Sequence, residues 1–176
     1  STLARETTCE PIEADAALAR GRILMNLGVE RRDDAQVALA DARPLALAQR
    51  MWPLAVQAAA RVIYLEGTSD AAPDRASADH DIALYEPLGR SLRGDHFAWP
   101  LLLNNIGVVG MAAGDASRAL HYFQLAHAAL GQIEARFADV QASTVAGIGL
   151  GHDELRRLAA VATRKARSEG HSAVGV

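Results

Sequence analysis

This sequence predicts an all-α protein, an α-solenoid of about four helix-turn-helix pairs. Three observations carry the expectation. Apolar residues recur at helical spacing along almost the whole chain. No stretch alternates apolar and polar residues with the β-branched enrichment of a strand. One helix-turn-helix pattern occurs four times. Composition agrees, since alanine supplies 37 of the 176 residues and aromatics only 5%. Alanine is the best helix former, and small side chains let helices approach closely. A chain of this length suits one domain, burying about 70% of its unfolded surface.

The periodicity places helices at about 12–28, 34–49, 52–66, 77–92, 97–113, 115–132, 137–150 and 152–168, with 1–11 and 169–176 as flexible ends. Pro53 and Pro100 suit a first helical turn, where the missing N–H is no loss. Pro44 and Pro87 fall inside expected helices and should start, kink or break them. The repeat is visible in "MWPLAVQAAARVIYLEG" (Met51–Gly67) and "AWPLLLNNIGVVGMAAG" (Ala98–Gly114), which superpose without a gap. Trp52 falls on Trp99, Pro53 on Pro100, Leu54 on Leu101 and Gly67 on Gly114. The same frame puts Gly28 and Gly151 at equivalent helix ends, where glycine suits a left-handed closing residue. These glycines lie 39, 47 and 37 residues apart, so the pairs carry unequal loops. The first turn is lengthened by about four residues, Val29–Arg32, and the longest insertion is Thr68–Ser77, rich in turn formers. A helical pair cannot bury both its faces alone, so neighbouring pairs must stack.

The stretch "LLLNNIGVVGMAAGDASRALHYFQLAHAAL", Leu101–Leu130, resembles a tetratricopeptide repeat (TPR). Leu103, Ile106, Gly107, Gly114 and Asp115 match the pattern of the first helix and its end, and Ala119, Phe123 and Ala126 match the second. Gly107 and Ala119 would let the paired helices touch while Phe123 fills the gap beneath. Gly131 stands where the family often has a proline. The other repeats are degenerate: Gly21 keeps the small residue of the first, Ala60 that of the second, and Thr144 replaces it in the fourth. The order "ARGRILMNLG … AAARVIYLEG … LLLNNIGVVG" is also similar to the repeats that follow the kinase domain in some bacterial serine/threonine protein kinases. No Gly-rich loop with its lysine, His-Arg-Asp or Asp-Phe-Gly occurs here. The resemblance therefore implies a non-catalytic docking or regulatory segment of a larger signalling protein.

In a tetratricopeptide array the first helix of each pair lines a concave groove. With Leu103, Ile106 and Gly107 turned to the partner helix, Leu101, Asn104, Asn105, Val108, Met111 and Ala112 face the groove or its edge. The matching face of the second repeat carries Gln57, Arg61 and Tyr64. The first offers Leu18, Arg22 and Met25, and the fourth Gln141, Val145 and Ile148. Amides that donate and accept at once, beside arginines over an apolar floor, suit an extended or carboxylate-bearing peptide. The competing reading is structural. Asn104 or Asn105 bonds a neighbouring helix and sets the stacking register, and Arg22 and Arg61 pair with acids across the groove. A second functional class is a small-ligand sensor of a transcriptional regulator or signalling ATPase, with Met25, Tyr64 and Met111 lining an apolar pocket.

Other chemistries find little footing. A net charge of −3 offers nucleic acid no general attraction. Nothing reads as a membrane span or secretory signal, and the lone Cys9 makes a reducing cytoplasm the natural compartment. The chain begins at Ser1 without a methionine, which suggests a piece of something longer. The six histidines lack metalloprotease spacing. "DHD" at Asp79–Asp81 diverges on a helix, "GIGLG" at Gly147–Gly151 lacks a phosphate-loop lysine, and "RGD" at Arg93–Asp95 is expected by chance. No enzyme, metal or cofactor is expected. An acidic middle (Glu66–Glu86) and a basic tail (Asp153–Glu169) read as solvated helix faces. An exposed stack end carrying Leu155, Leu158 and Val161 could form a homodimer.

Overall fold

The computed structural model describes residues 10–69, 73–92 and 97–147, as backbone only at residue 10 and at 139–147. Six helices follow in order, with no β-strand among the described residues: α1 Glu10–Asn26, α2 Arg32–Ala48, α3 Trp52–Gly67, α4 Arg75–Ser91, α5 Ala98–Ala112 and α6 Ala116–Gly147. None of them is long and apolar enough to cross a membrane. Residues up to Leu130 form one compact unit and those from Gly131 a second. The core below lies in the first. The expected helix at 152–168, with Leu155, Leu158 and Val161, lies outside the described residues, as do Gly151 and Ile148.

The helix between Trp52 and Gly67 is central. It packs against α1, α2, α4 and α5, and its Val56, Ala58, Ala59, Ala60, Val62 and Ile63 have no exposed surface. A helix that is apolar on nearly every side must be covered on every side. Its run of alanines brings neighbouring backbones close. The small residues singled out in the sequence serve the same end in the paired helices. A Cβ at Gly21 would lie 2.5 Å from Leu39 Cγ on α2, and one at Gly107 would lie 2.7 Å from the Phe123 ring on α6.

Two expected helices, 115–132 and 137–150, are one continuous helix, α6. Between them stand Ile133, Glu134, Ala135 and Arg136, none of which breaks a helix. Gly131 costs only about 1 kcal/mol relative to alanine in a helix interior, too little to end one. Of the effects expected of the prolines, starting or breaking a helix is not what they do: Pro44 lies inside α2 and Pro87 inside α4. Both are exposed and sit in the last part of their helices. The carbonyls they leave without a donor belong to half-exposed Ala40 and exposed Ala83.

Helices α2 and α4 share a pattern of buried positions that was not part of the sequence frame. Both are 17 residues long. Arg32 corresponds to Arg75 and Pro44 to Pro87, and buried Ala35, Leu39, Ala42 and Ala46 correspond to buried Ala78, Ile82, Tyr85 and Gly89. The leading arginines share a task. Arg32 donates to the Leu65 carbonyl and to Thr68 Oγ1 (3.0 Å) at the end of α3, and Arg75 donates to the Ala112 carbonyl (3.3 Å) at the end of α5. Terminal helix carbonyls lack intrahelical donors, and a cation there also opposes the helix dipole. Replacing Arg32 by methionine should therefore cost about 1–2 kcal/mol of unfolding free energy, measurable by urea denaturation. Polar ties fix α6 to α4: Arg118 pairs with Asp79 (2.8 Å) and the Tyr122 hydroxyl donates to Glu86 (3.0 Å).

The helix-closing glycines divide by role. Gly28 (φ 116°) and Gly114 (φ 78°) are left-handed, as expected. Gly67 is not: it is the helical last residue of α3, and a Cβ on it would lie 2.5 Å from Val109 Cγ2 on α5. The left-handed residue after α2 is instead Arg50 (φ 56°). Its turn is the one Gly114 makes, with Met51 N–H to Ala46 O (2.8 Å) matching Asp115 N–H to Gly110 O (2.9 Å). A side chain in this conformation is strained. Arg50→Gly should raise stability by about 0.5–1 kcal/mol, after the entropy cost of glycine, as read from the denaturation midpoint.

A polar knot joins α2, α3 and α4. Arg43 is ion-paired to Asp81, and Glu66 stands beside them with one buried carboxylate oxygen, Oε2, that accepts no hydrogen bond among the described residues. Burial raises the Glu66 pKa, and the nearby Asp81 and Asp74 charges raise it further against the pull of Arg43. A carboxyl raised above its unfolded value binds more protons in the native state. Its penalty is present at neutral pH and lifts as pH falls through the folded pKa. Glu66→Gln should therefore stabilise the protein at pH 7 by roughly 0.5–1 kcal/mol, the remainder after solvent screening. The gain should vanish on acidification, as followed by melting temperature against pH.

Candidate functional site

Among the clefts that the described residues of the first unit form are two beside the predicted face. One, of about 430 Å³, lies between α1 and α3 and is lined by Asp15, Leu18, Arg22, Met51, Pro53, Leu54 and Gln57. The other, of about 370 Å³, is lined by Phe97, Pro100, Leu101 and Asn104 on the α5 side and by Phe123, Ala126, His127 and Leu130 of α6. Five of the sequence-selected residues thus reach a cleft: Leu18, Arg22 and Gln57 the first, Leu101 and Asn104 the second. Leu18, named with Arg22 from the sequence, forms part of the first floor. The equivalence of Leu54 with Leu101 was legible in the repeat. Asp15 falls on Leu54 and Leu101 in the repeat frame, an acid where the other two repeats are apolar, and Met51 sits in the turn before α3, so neither stood out in the sequence.

The adjacent amides part company. Asn104 is exposed, whereas Asn105 is only 8% exposed and its Nδ2 donates to the Ala60 carbonyl of α3 at 2.8 Å. The reach is possible because Ala60 has almost no side chain to hold α5 away. The Asn105 carbonyl oxygen accepts a long bond of 3.4 Å from Asn104. Asn105 therefore sits within the α3–α5 contact, as in the structural reading of the amides, and Asn104 remains available at the surface. Val108 is half-buried, Tyr64 is half-buried and Met111 is 61% exposed. None of Met25, Tyr64 and Met111 lines either cleft. Gln141 and Val145 lie on α6 where only the backbone is described.

Arg61 is the unusual cation. It is half-buried, one turn from Gln57, and its Nη1 donates to the Gln57 carbonyl at 2.8 Å. Burial lowers its pKa to about 10, and the charge of Arg22 across from it on α1 adds to the shift. It remains charged at neutral pH. Arg31, Arg43, Arg90 and Arg118 each hold a carboxylate, yet neither Arg22 nor Arg61 has an acidic partner among the described residues. Two guanidiniums held near one another repel, and partial burial strengthens that repulsion. An incoming carboxylate relieves it and can accept two parallel N–H bonds from one fork. Gln57 adds an amide able to donate and accept.

Metal chemistry gains no support in geometry. No group of three or more His, Cys, Asp or Glu side chains among the described residues could hold an ion. Asp79 and Asp81 serve the ion pairs with Arg118 and Arg43. No family model matches the chain, and no curated protein or solved structure is significantly similar to it.

Proposed function

We propose that the chain is a non-catalytic protein-interaction module, a stack of helical pairs of the tetratricopeptide kind that holds an extended, acidic partner segment along α1, α3 and α5. The stacking is supported by the leading arginine, the proline and the four buried positions that α2 and α4 share, and by the packing of α3 against both α1 and α5. The single observation that carries the ligand chemistry is the Arg22–Arg61 pair, Arg61 half-buried and Arg22 exposed, with no carboxylate partner among the described residues. Gln57 and Leu54 continue the contact on α3, and Leu101 and Asn104 extend it on α5. The likeness to repeats that follow bacterial kinase domains adds a parent, a cytoplasmic signalling protein, which the reading frame upstream of Ser1 tests.

Binding is tested by fluorescence polarisation with short labelled peptides rich in glutamate, set against the same peptides with glutamine. The acidic series should bind more tightly and weaken as salt is raised. Arg61→Ala should reduce the affinity about tenfold, the scale of one charge-assisted contact, and Gln57→Ala less. Equal binding of the two series, or indifference to Arg61→Ala, would move the contact elsewhere.

A further inference from the structure

The first helix carries a second apolar face that the core does not use. Along α1 the buried residues are Ala14, Leu18, Gly21 and Leu24. On the opposite side, at intervals of four, three, four and four residues, stand Ile12, Ala16, Ala19, Ile23 and Leu27. Ile12, Ile23 and Leu27 are 67%, 60% and 62% exposed, and both alanines are exposed. Intervals of three and four form the seam of two helices packed lengthwise. The two alanines at its middle permit an approach at the short end of the usual 8–10 Å range.

The charges beside the seam select the occupant. Glu13 and Arg20 flank it on one side, and Asp15 and Arg22 on the other, as 100° per residue dictates. Lay a second copy of α1 antiparallel so that Ala16 meets its Ala19. Ile12 then lies over the other Ile23, Glu13 comes opposite Arg20, and Asp15 opposite Arg22. Antiparallel helices bring like flanks together, so both rims become attractive and each contact occurs twice about the two-fold axis. A parallel copy would bring unlike flanks together and set Glu13 nearest the other Asp15 and Arg20 nearest the other Arg22.

We propose that two copies of this chain associate through the outer face of α1, antiparallel, with Ala16 and Ala19 at the centre. The seam residues Ile12, Ala16, Ala19 and Ile23 and the rim residues Glu13 and Arg20 line neither cleft, whereas Asp15 and Arg22 line the first. Charge is therefore exchanged only at Glu13 and Arg20, and the dimer is tested apart from the peptide reading.

Sedimentation equilibrium of the full chain over ~5–500 µM should show the mass rising toward twice the monomer, the weak range expected of one helix pair. Ile23→Glu should abolish the rise. Glu13→Arg or Arg20→Glu alone should weaken the dimer at least about tenfold. Both changes in one chain should restore it, as should mixing the two single variants. A wild-type chain monomeric throughout overturns the proposal. So does an Ile23→Glu variant that melts well below a monomeric wild type, since that places a segment of the same chain on the seam. A dimer indifferent to the charge exchanges overturns the antiparallel pairing.

Discussion

Asn105→Asp should lower the unfolding free energy by about 3–4 kcal/mol at neutral pH, the usual cost of a buried charge without a partner. Asn105 Nδ2 points at the Ala60 carbonyl, and a carboxylate there sets two acceptors against each other in a contact closed to water. Asn105→Ala removes one hydrogen bond and leaves a small void, so its cost should be only about 1–2 kcal/mol. The pH dependence separates the two variants. The new carboxyl, raised above its unfolded value near 3.9, binds its proton more tightly in the native state, so the deficit is full at neutral pH and shrinks on acidification. Once protonated, it can again donate to Ala60. Urea denaturation of both variants at pH 7 and pH 5 checks this. A parallel loss at both pH values would mean that Asn105 is not enclosed between α3 and α5.

Gly67→Val should cost about 3 kcal/mol, near the upper end for overpacking a well-filled contact. Its Cβ position lies 2.5 and 2.6 Å from the two Val109 methyls and 3.1 Å from Val109 Cβ. Val109 is 2% exposed and branched at the atom in question, so no rotamer clears the space. In a double-mutant cycle Val109→Ala should return at least about 1 kcal/mol of the loss. The glycine aligned with it behaves differently. A Cβ on Gly114 meets nothing within 4 Å, but φ is 78°. Gly114→Ala should cost about 1 kcal/mol through backbone strain alone, with no rescue from any neighbour. Equal rescue of both by Val109→Ala would sink this division of roles.

These two glycines illustrate how much could be read in advance. Helical spacing, first-turn prolines and the Trp-Pro repeat are local features, and they set the all-α class and most helix positions because hydrogen bonding and steric limits act within a turn or two. The small residues at Gly21, Ala60 and Gly107 were also legible, since close helix contact needs a missing side chain wherever it occurs. The break expected before 137 was not met, because no residue there opposes a helix strongly enough to stop it. Pro44 and Pro87, for a different reason, do not end their helices. A proline's cost depends on whether the carbonyl it leaves unpaired is exposed, and one-dimensional sequence does not carry that.

What the chain order determined by itself is the helical alphabet of this protein: which segments coil, where they pause, and which faces are apolar. Only the tertiary structure decided which of two adjacent asparagines is enclosed, which arginines find carboxylates, and whether a glycine stands for its backbone angle or for its lack of bulk. The physical reason is range. Coiling is governed by neighbours a few residues away, whereas the environments of Asn105, Arg61 and Gly67 are made by residues dozens of positions distant, Ala60, Arg22 and Val109, brought near only when α1, α3 and α5 pack.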